Sequence, residues 1–162
     1  MITIRPITPE EIPAARRVIL TVAYNIYGWE RGFEDMLSHF ETDKEFEDMA
    51  HVEEHYFQND GHFLVALDGD NVIGSGAVRK FAVRTAELKR MWLLEPYHGR
   101  GIGYQIINQL FDFARSKGYE RIILQTSPEQ TRAIAFYNRL GFYEIACYNE
   151  KPGEISMELK LA

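Results

Sequence analysis

Cysteine is nearly absent from this chain: Cys147 is the only one among 162 residues. A single thiol excludes an internal disulfide framework and fits a reducing compartment. Its apolar setting, FYEIAC at 142–147, predicts an inert core thiol rather than a nucleophile. Long hydrophobic runs are missing too. No stretch approaches the roughly 18 apolar residues of a membrane span, and the opening MITIRP lacks the basic region and apolar run of a signal peptide. The expectation is a cytoplasmic protein with no membrane partner. Basic residues are outnumbered, 18 lysines and arginines against 24 carboxylates for a net charge of −6. That balance argues against nucleic acid as a partner, since a polyanion needs a basic face. Two catalytic signatures are absent as well. Without a Gly-Lys-Ser/Thr, a P-loop is excluded. His51 and His55 stand at i, i+4 with Glu53 and Glu54 between them, but the order is not H-E-x-x-H and no third ligand is indicated. That stretch reads as a solvated acidic helix face, and no metal is expected.

What is present suits one domain, residues 1–162, with 46% hydrophobic and 26% charged residues and enough length for one well-buried core. Ile2 to Arg5 alternates as a strand. Thr8, Pro9 and Glu11 then read as a capping box opening a helix that runs to about Tyr24. A second helical region, Phe33 to Phe57, is uneven, with Gly28 and Gly32 punctuating its approach. It overlaps the densest run of charge: eight carboxylates (Glu41, Asp43, Glu45, Glu47, Asp48, Glu53, Glu54, Asp60) against one lysine. Such a run is either a solvated face or a rim that draws cations. The runs 62–67 and 72–78 flank a turn-rich tetrapeptide and predict a hairpin, with Gly74 and Gly76 marking a bulge or a close backbone approach. A further strand is expected over 86–94. Ile102, Ile106, Ile107, Leu110, Phe111 and Ala114 fall at helical spacing up to Lys117 and Gly118. After a strand at 121–126, Ser127, Pro128 and Gln130 repeat the capping signal for a helix ending at Leu140 and Gly141. Strands at 142–147 and 155–161 close the chain.

The chemistry concentrates in two segments, ELKRMWLLEPYHGRGIG at 87–103 and AIAFYNRLGF at 133–142. The first is a strand, a glycine turn and a helix start. The free N–H groups and positive dipole end of a helix N-terminus form an anion cradle, and Gly99, Gly101 and Gly103 would let the backbone approach a pyrophosphate. A dinucleotide fold is disfavoured, because its glycine turn follows the first strand and its acidic partner lies about twenty residues on, whereas here the turn follows several strands.

These two segments, with the strand between them, resemble the GNAT superfamily of acyl-CoA-dependent N-acyltransferases. The resemblance implies an α/β (α+β) fold: a mixed, mostly antiparallel sheet of about six or seven strands with flanking helices and a splayed strand pair. It implies acetyl-CoA as acyl donor, held by the backbone of Met91, Trp92 and Leu93 along the pantetheine arm and by His98, Gly99, Arg100, Gly101, Ile102, Gly103 and Tyr104 at the pyrophosphate. Gln130 and Ala133 fall on the cofactor side of the later helix. Tyr137 occupies the position that protonates the departing thiolate; on spacing alone, aromatic packing at an amphipathic helix position is the favoured reading. Two residues depart from the family pattern, His98 where glutamine or arginine is usual and Gln130 where asparagine is frequent. Gln130 also suits a helix cap, and His98 would add a phosphate contact only when protonated.

Acyl transfer to an amine requires that the amine lose its proton, since at a pKa of about 10.4 only roughly one in a few thousand is neutral at pH 7. Glu87, at the start of the strand that would run along the thioester, is the candidate base, acting through a water; a salt bridge to Lys89 or Arg90 is the structural alternative. Trp92 reads as strand core, and Tyr24, Tyr27 and Trp29 as candidates to line an acceptor pocket. The expected reaction moves an acetyl group to a primary amine of a small molecule, amino acid or peptide in a ternary complex, with the acidic run favouring a cationic small-molecule amine. A homodimer is implied by the family alone. Two alternatives stand beside this: a non-catalytic acyl-CoA-binding regulatory module, and a protein lysine or N-terminal acetyltransferase.

Overall fold

Residues 1–39 and 42–161 are described by a computed structural model; Phe40, Glu41 of the acidic run, and Ala162 lie outside the described residues. The elements are β1 (Ile2–Pro6), α1 (Ile12–Tyr27), α2 (Phe33–Ser38), α3 (Glu47–Ala50), β2 (His62–Asp68), β3 (Asn71–Ala82), β4 (Thr85–Leu93), α4 (Ile102–Ser116), β5 (Arg121–Thr126), α5 (Thr131–Leu140), β6 (Tyr143–Ile145) and β7 (Ile155–Lys160). The strands form one sheet in the order β1-β2-β3-β4-β5-β7-β6. Every pairing is antiparallel except β4 with β5. The mixed, mostly antiparallel sheet with flanking helices is therefore the fold the sequence leads one to expect. Among the described residues, no helix is long and apolar enough to cross a membrane.

Both faces of the sheet are covered. On one, α4 packs Ile106, Ile107 and Leu110 against Leu64 and Ala66 of β2 and Leu88 of β4. On the other, Ile19 and Leu20 of α1 meet Phe63, Val65 and Leu67 of β2. This two-sided burial is why 63–67 is an unbroken apolar run rather than an alternating one.

Several boundaries differ from the sequence expectation. The first helix begins as a 3-10 turn, Pro9–Glu11, becomes α-helical at Ile12, and continues past Tyr24 to Tyr27. Gly28 ends it at φ 60, its N–H bonded to the Tyr24 carbonyl. The region 33–57 is not one helix but short pieces: α2, a 3-10 turn at Lys44–Phe46, α3, and a π turn at Glu53–Phe57. No continuous apolar stripe runs through it, and Asp43 restarts the chain by accepting from the Glu45 N–H at 2.9 Å. Ser127 does not cap α5; the chain turns first, with the Gln130 N–H bonded to the Ser127 carbonyl, and the helix starts at Thr131. The strand expected over 142–147 stops at Ile145, which leaves Cys147 exposed rather than in the core.

One irregularity governs the site. Ala77 faces Lys89 and Ser75 faces Trp92, so Gly76 stands opposite two residues, Arg90 and Met91. This is a bulge, with Arg90 at φ 56 and its carbonyl bonded by the Ser75 hydroxyl at 2.7 Å. The extra residue inverts the alternation of β4. Leu88, Met91 and Leu93 consequently share the α4 face, while Trp92 joins the α1 face. Gly76 is required for this packing: a Cβ there would lie 2.5 Å from the Met91 sulfur and 2.6 Å from Ile106 Cγ2.

Candidate active site

β4 and β5 pair at only three positions, Thr85 with Arg121, Ala86 with Ile122 and Glu87 with Ile123. Beyond Glu87 the two strands part, and a cleft of about 500 Å³ opens over the gap. Its walls are Val22 and Ile26 of α1, Met91, Trp92 and Leu93 at the end of β4, the turn at His98, Gly99 and Gly101, the first turn of α4, and residues 129–140 around α5. Twelve of the sequence-derived candidates thus converge there, Ile102, Gly103, Tyr104, Gln130, Ala133 and Tyr137 among them.

The glycine turn has the geometry of an anion cradle. Gly99 and Gly101 adopt φ 79 and 75, in the left-handed region that favours glycine. A Cβ at either would meet nothing within 4 Å, so the conformation, not crowding, calls for glycine. Gly101 is the N-cap of α4, whose first-turn N–H groups have no carbonyl within the helix to pair with. These features fit the diphosphate of an acyl-CoA. His98 is spent differently from the charged phosphate ligand considered above: its Nε2 lies 3.0 Å from the Leu93 carbonyl and ties the turn to the end of β4. Arg100 turns away from the cleft wall, its guanidinium 5.1 Å over the Tyr97 ring. Tyr104 stays 56% exposed at the mouth.

Tyr137 is buried between Phe136 and Phe142, and burial pushes its hydroxyl well above the ordinary tyrosine value. Among the described residues that hydroxyl has no hydrogen-bond partner. A second, smaller cleft of about 110 Å³ lies where the strands part, lined by residues 88–92 of β4, 124–126 of β5, Gln130 and Tyr137. Met91, Trp92, Gln130 and Tyr137 belong to both clefts, so the two meet at the tyrosine. Gln130 anchors this junction by donating to the Tyr27 hydroxyl at 3.0 Å, and Tyr27 also bonds Ser127. Tyr27 stacks on Trp29, and Tyr24 packs edge-on against it; none of the three lines either cleft.

Glu87 lies on neither cleft wall. It is 7% exposed, and its salt bridge is to Arg79 at 3.2 Å, across the strand pair, not to Lys89 or Arg90. The Tyr148 hydroxyl, from the loop between β6 and β7, donates to its other oxygen at 2.7 Å. Arg90 instead holds Asp48 through two hydrogen bonds of 2.9 and 2.6 Å, donates to the Glu45 carbonyl at 2.6 Å, and lies over the Phe46 ring. Burial pushes the Asp48 carboxyl up, but the Arg90 bonds and charge, with the Tyr56 hydroxyl, outweigh it and hold the pKa at about 2. Lys89 lies between these two pairs with no hydrogen bond or ion pair of its own among the described residues. Burial draws its ammonium below the usual lysine value, opposed by Glu87. His55 Nδ1 faces Arg79 at 3.4 Å, and the His51 and His55 rings stack 6.5 Å apart. Glu45 is bridged to Lys151 at 3.4 Å. Part of the acidic run is therefore committed to structure. Lys89, Arg79, Tyr148 and Thr126 were not among the sequence candidates. The one local signal was the β4 string E-L-K-R, where charges interrupt a strand otherwise buried.

The family model described as "Acetyltransferase (GNAT) family" matches residues 24–142. Among curated proteins, a probable N-acetyltransferase family 8 member 5 from Mus musculus is 34% identical over 110 residues, covering 64% of this chain and 48% of that one. The uncharacterized N-acetyltransferase YsnE of Bacillus subtilis is 31% identical over 106 residues, 61% of this chain and 69% of its own. The match thus spans about half the length of the mouse relative. Among solved structures, an acetyltransferase of the GNAT family from Staphylococcus aureus Mu50 superposes with a TM-score of 0.85 at 18% identity over 100% of both chains. The PaiA N-acetyltransferase of Thermoplasma acidophilum, in complex with coenzyme A, gives 0.79 at 20% identity over 99% of both. These last two likenesses speak to the fold.

Proposed function

The chain belongs to the acetyltransferase (GNAT) family, and on that premise we propose that it transfers an acetyl group from acetyl-CoA to a primary amine of a small molecule by direct attack in a ternary complex. The observation that carries this reading is the meeting of two clefts at Tyr137: the larger, with its glycine turn, suits the donor, and the smaller suits the acceptor. The PaiA N-acetyltransferase, which shares this fold, is in complex with coenzyme A, and that supports coenzyme A binding by this chain. Acetyl-CoA supplies an activated thioester, and the protein's share of the work is positioning and proton movement. The α4 first turn and the glycine turn bind the diphosphate. Backbone N–H groups near Leu93, freed where β4 leaves β5, stabilise the carbonyl oxygen as charge gathers on it. The ammonium first gives one proton through water to Glu87; as the C–N bond forms and the C–S bond breaks, the sulfur takes a proton from the Tyr137 hydroxyl, which recovers it, through water, from the second proton shed by the nitrogen. The amine arrives as an ammonium, and the exposed carboxylates Glu47, Glu53 and Glu54 favour its approach.

The test is thiol release from acetyl-CoA with pooled amines, run with Tyr137→Phe and with acetyl-CoA binding followed by calorimetry. The expected result is release dependent on one pool, with kcat about 10²-fold lower in the variant at unchanged donor affinity. Tight binding with no release in any pool would favour a binding module; no binding would remove the reading of the glycine turn.

A further inference from the structure

Resting on the ternary-complex reading, we propose that the acceptor is an amino-carboxylate whose carboxylate group is bound in the smaller cleft by Lys89. Glu87 and Lys89 alternate around Leu88, so both lie on the side of β4 away from α4. Charge on that side is almost paired off. Arg79 is matched by Glu87 at 3.2 Å and Arg90 by Asp48 at 2.6 Å. Three cations meet two anions, and the unmatched one is Lys89, which has no carboxylate within 4 Å among the described residues. A half-buried ammonium without a bonded counter-ion is unfavourable in the free protein, and an incoming anion supplies the missing partner.

The cleft fits a small group: about 110 Å³ corresponds to roughly four waters at about 30 Å³ each. That suffices for a carboxylate and the carbon next to it, with the amine directed toward Tyr137 where the clefts join. Polyamines and aminoglycosides carry no carboxylate to fill this position, and a lysine side chain within a protein has none close to its amine.

The experiment compares matched acceptors in thiol release from acetyl-CoA: amino acids, their carboxamides and their decarboxylated amines. We expect kcat/KM to favour the free acid over its amide by at least about 30-fold, the scale of truncating one partner of a buried charge pair. Lys89→Met is expected to collapse that ratio through KM for the acid, and Lys89→Arg to restore part of it. Since the lysine has no protein partner, its loss orphans nothing, and the thermal midpoint should hold or rise. Equal use of acid, amide and amine overturns the inference and leaves the acetyltransferase reading standing, as does a Lys89→Met that lowers all three alike. No release with any acceptor, while acetyl-CoA still binds, removes both.

Discussion

Glu87 and Tyr137 divide the proton work of the proposed reaction, and their surroundings differ accordingly. Tyr137 sits in an aromatic sleeve that keeps it protonated through the neutral range, so it is loaded as an acid at any pH where the protein functions. Glu87 is held by Arg79 on one oxygen and Tyr148 on the other; burial and the Glu87 charge push the Tyr148 hydroxyl far above its ordinary value, which keeps it a donor. Glu87→Gln separates a base from a structural ion pair. As a base, its loss should cost about 10²-fold in kcat/KM at unchanged acetyl-CoA affinity. A change confined to the thermal midpoint, with kcat/KM intact, would leave Glu87 only its bonds to Arg79 and Tyr148. The residue type was legible in the sequence, but its partners were not: Arg79 and Tyr148 come from other strands and loops, and Tyr148 is separated from Glu87 by 61 positions.

At the scale of elements, the β4 bulge determines what the cleft presents. Without its extra residue, Met91 and Leu93 would face α1 and Trp92 would face α4, reversing the wall along which the pantetheine arm is proposed to lie. Gly76→Ala places a Cβ against the Met91 sulfur and Ile106; we expect a loss of about 1–3 kcal/mol in urea unfolding, together with weaker acetyl-CoA binding in calorimetry as Met91 is displaced. Two glycines in β3 announced a bulge or close approach. That the bulge falls opposite, at Arg90, depends on register and on Ser75 reaching the turned carbonyl. α4 was readable nearly to the residue, because an apolar stripe at 3.6 spacing, a glycine start and a Lys117–Gly118 end all agree. The stretch 33–57 was not, because its apolar residues serve the α1-side core one short piece at a time.

For the molecule as a whole, the Arg90–Asp48 pair fastens the segment around α3 to the sheet and brings a pH dependence with it. The Asp48 carboxyl is held at about 2, below an unfolded value near 3.9. Its contribution, about 2 kcal/mol, is present above pH 4 and is lost as pH falls through 2. Urea unfolding of the wild type and Asp48→Asn should differ widely at pH 6, where the variant leaves Arg90 buried without its counter-ion, and converge below pH 2. A constant gap across that range would mean that the carboxylate's charge is not what stabilises the pair. The sequence by itself determined the order of elements, the glycine turn before α4 and the position of Tyr137, because periodicity, caps and left-handed glycines are local and act within a few residues. Only the tertiary structure decided which charges pair, that Cys147 lies outside the core, and that Lys89 lines a small cleft without a bonded partner. Those outcomes depend on strand register and on where β4 leaves β5, and both are fixed by packing between segments far apart in the chain.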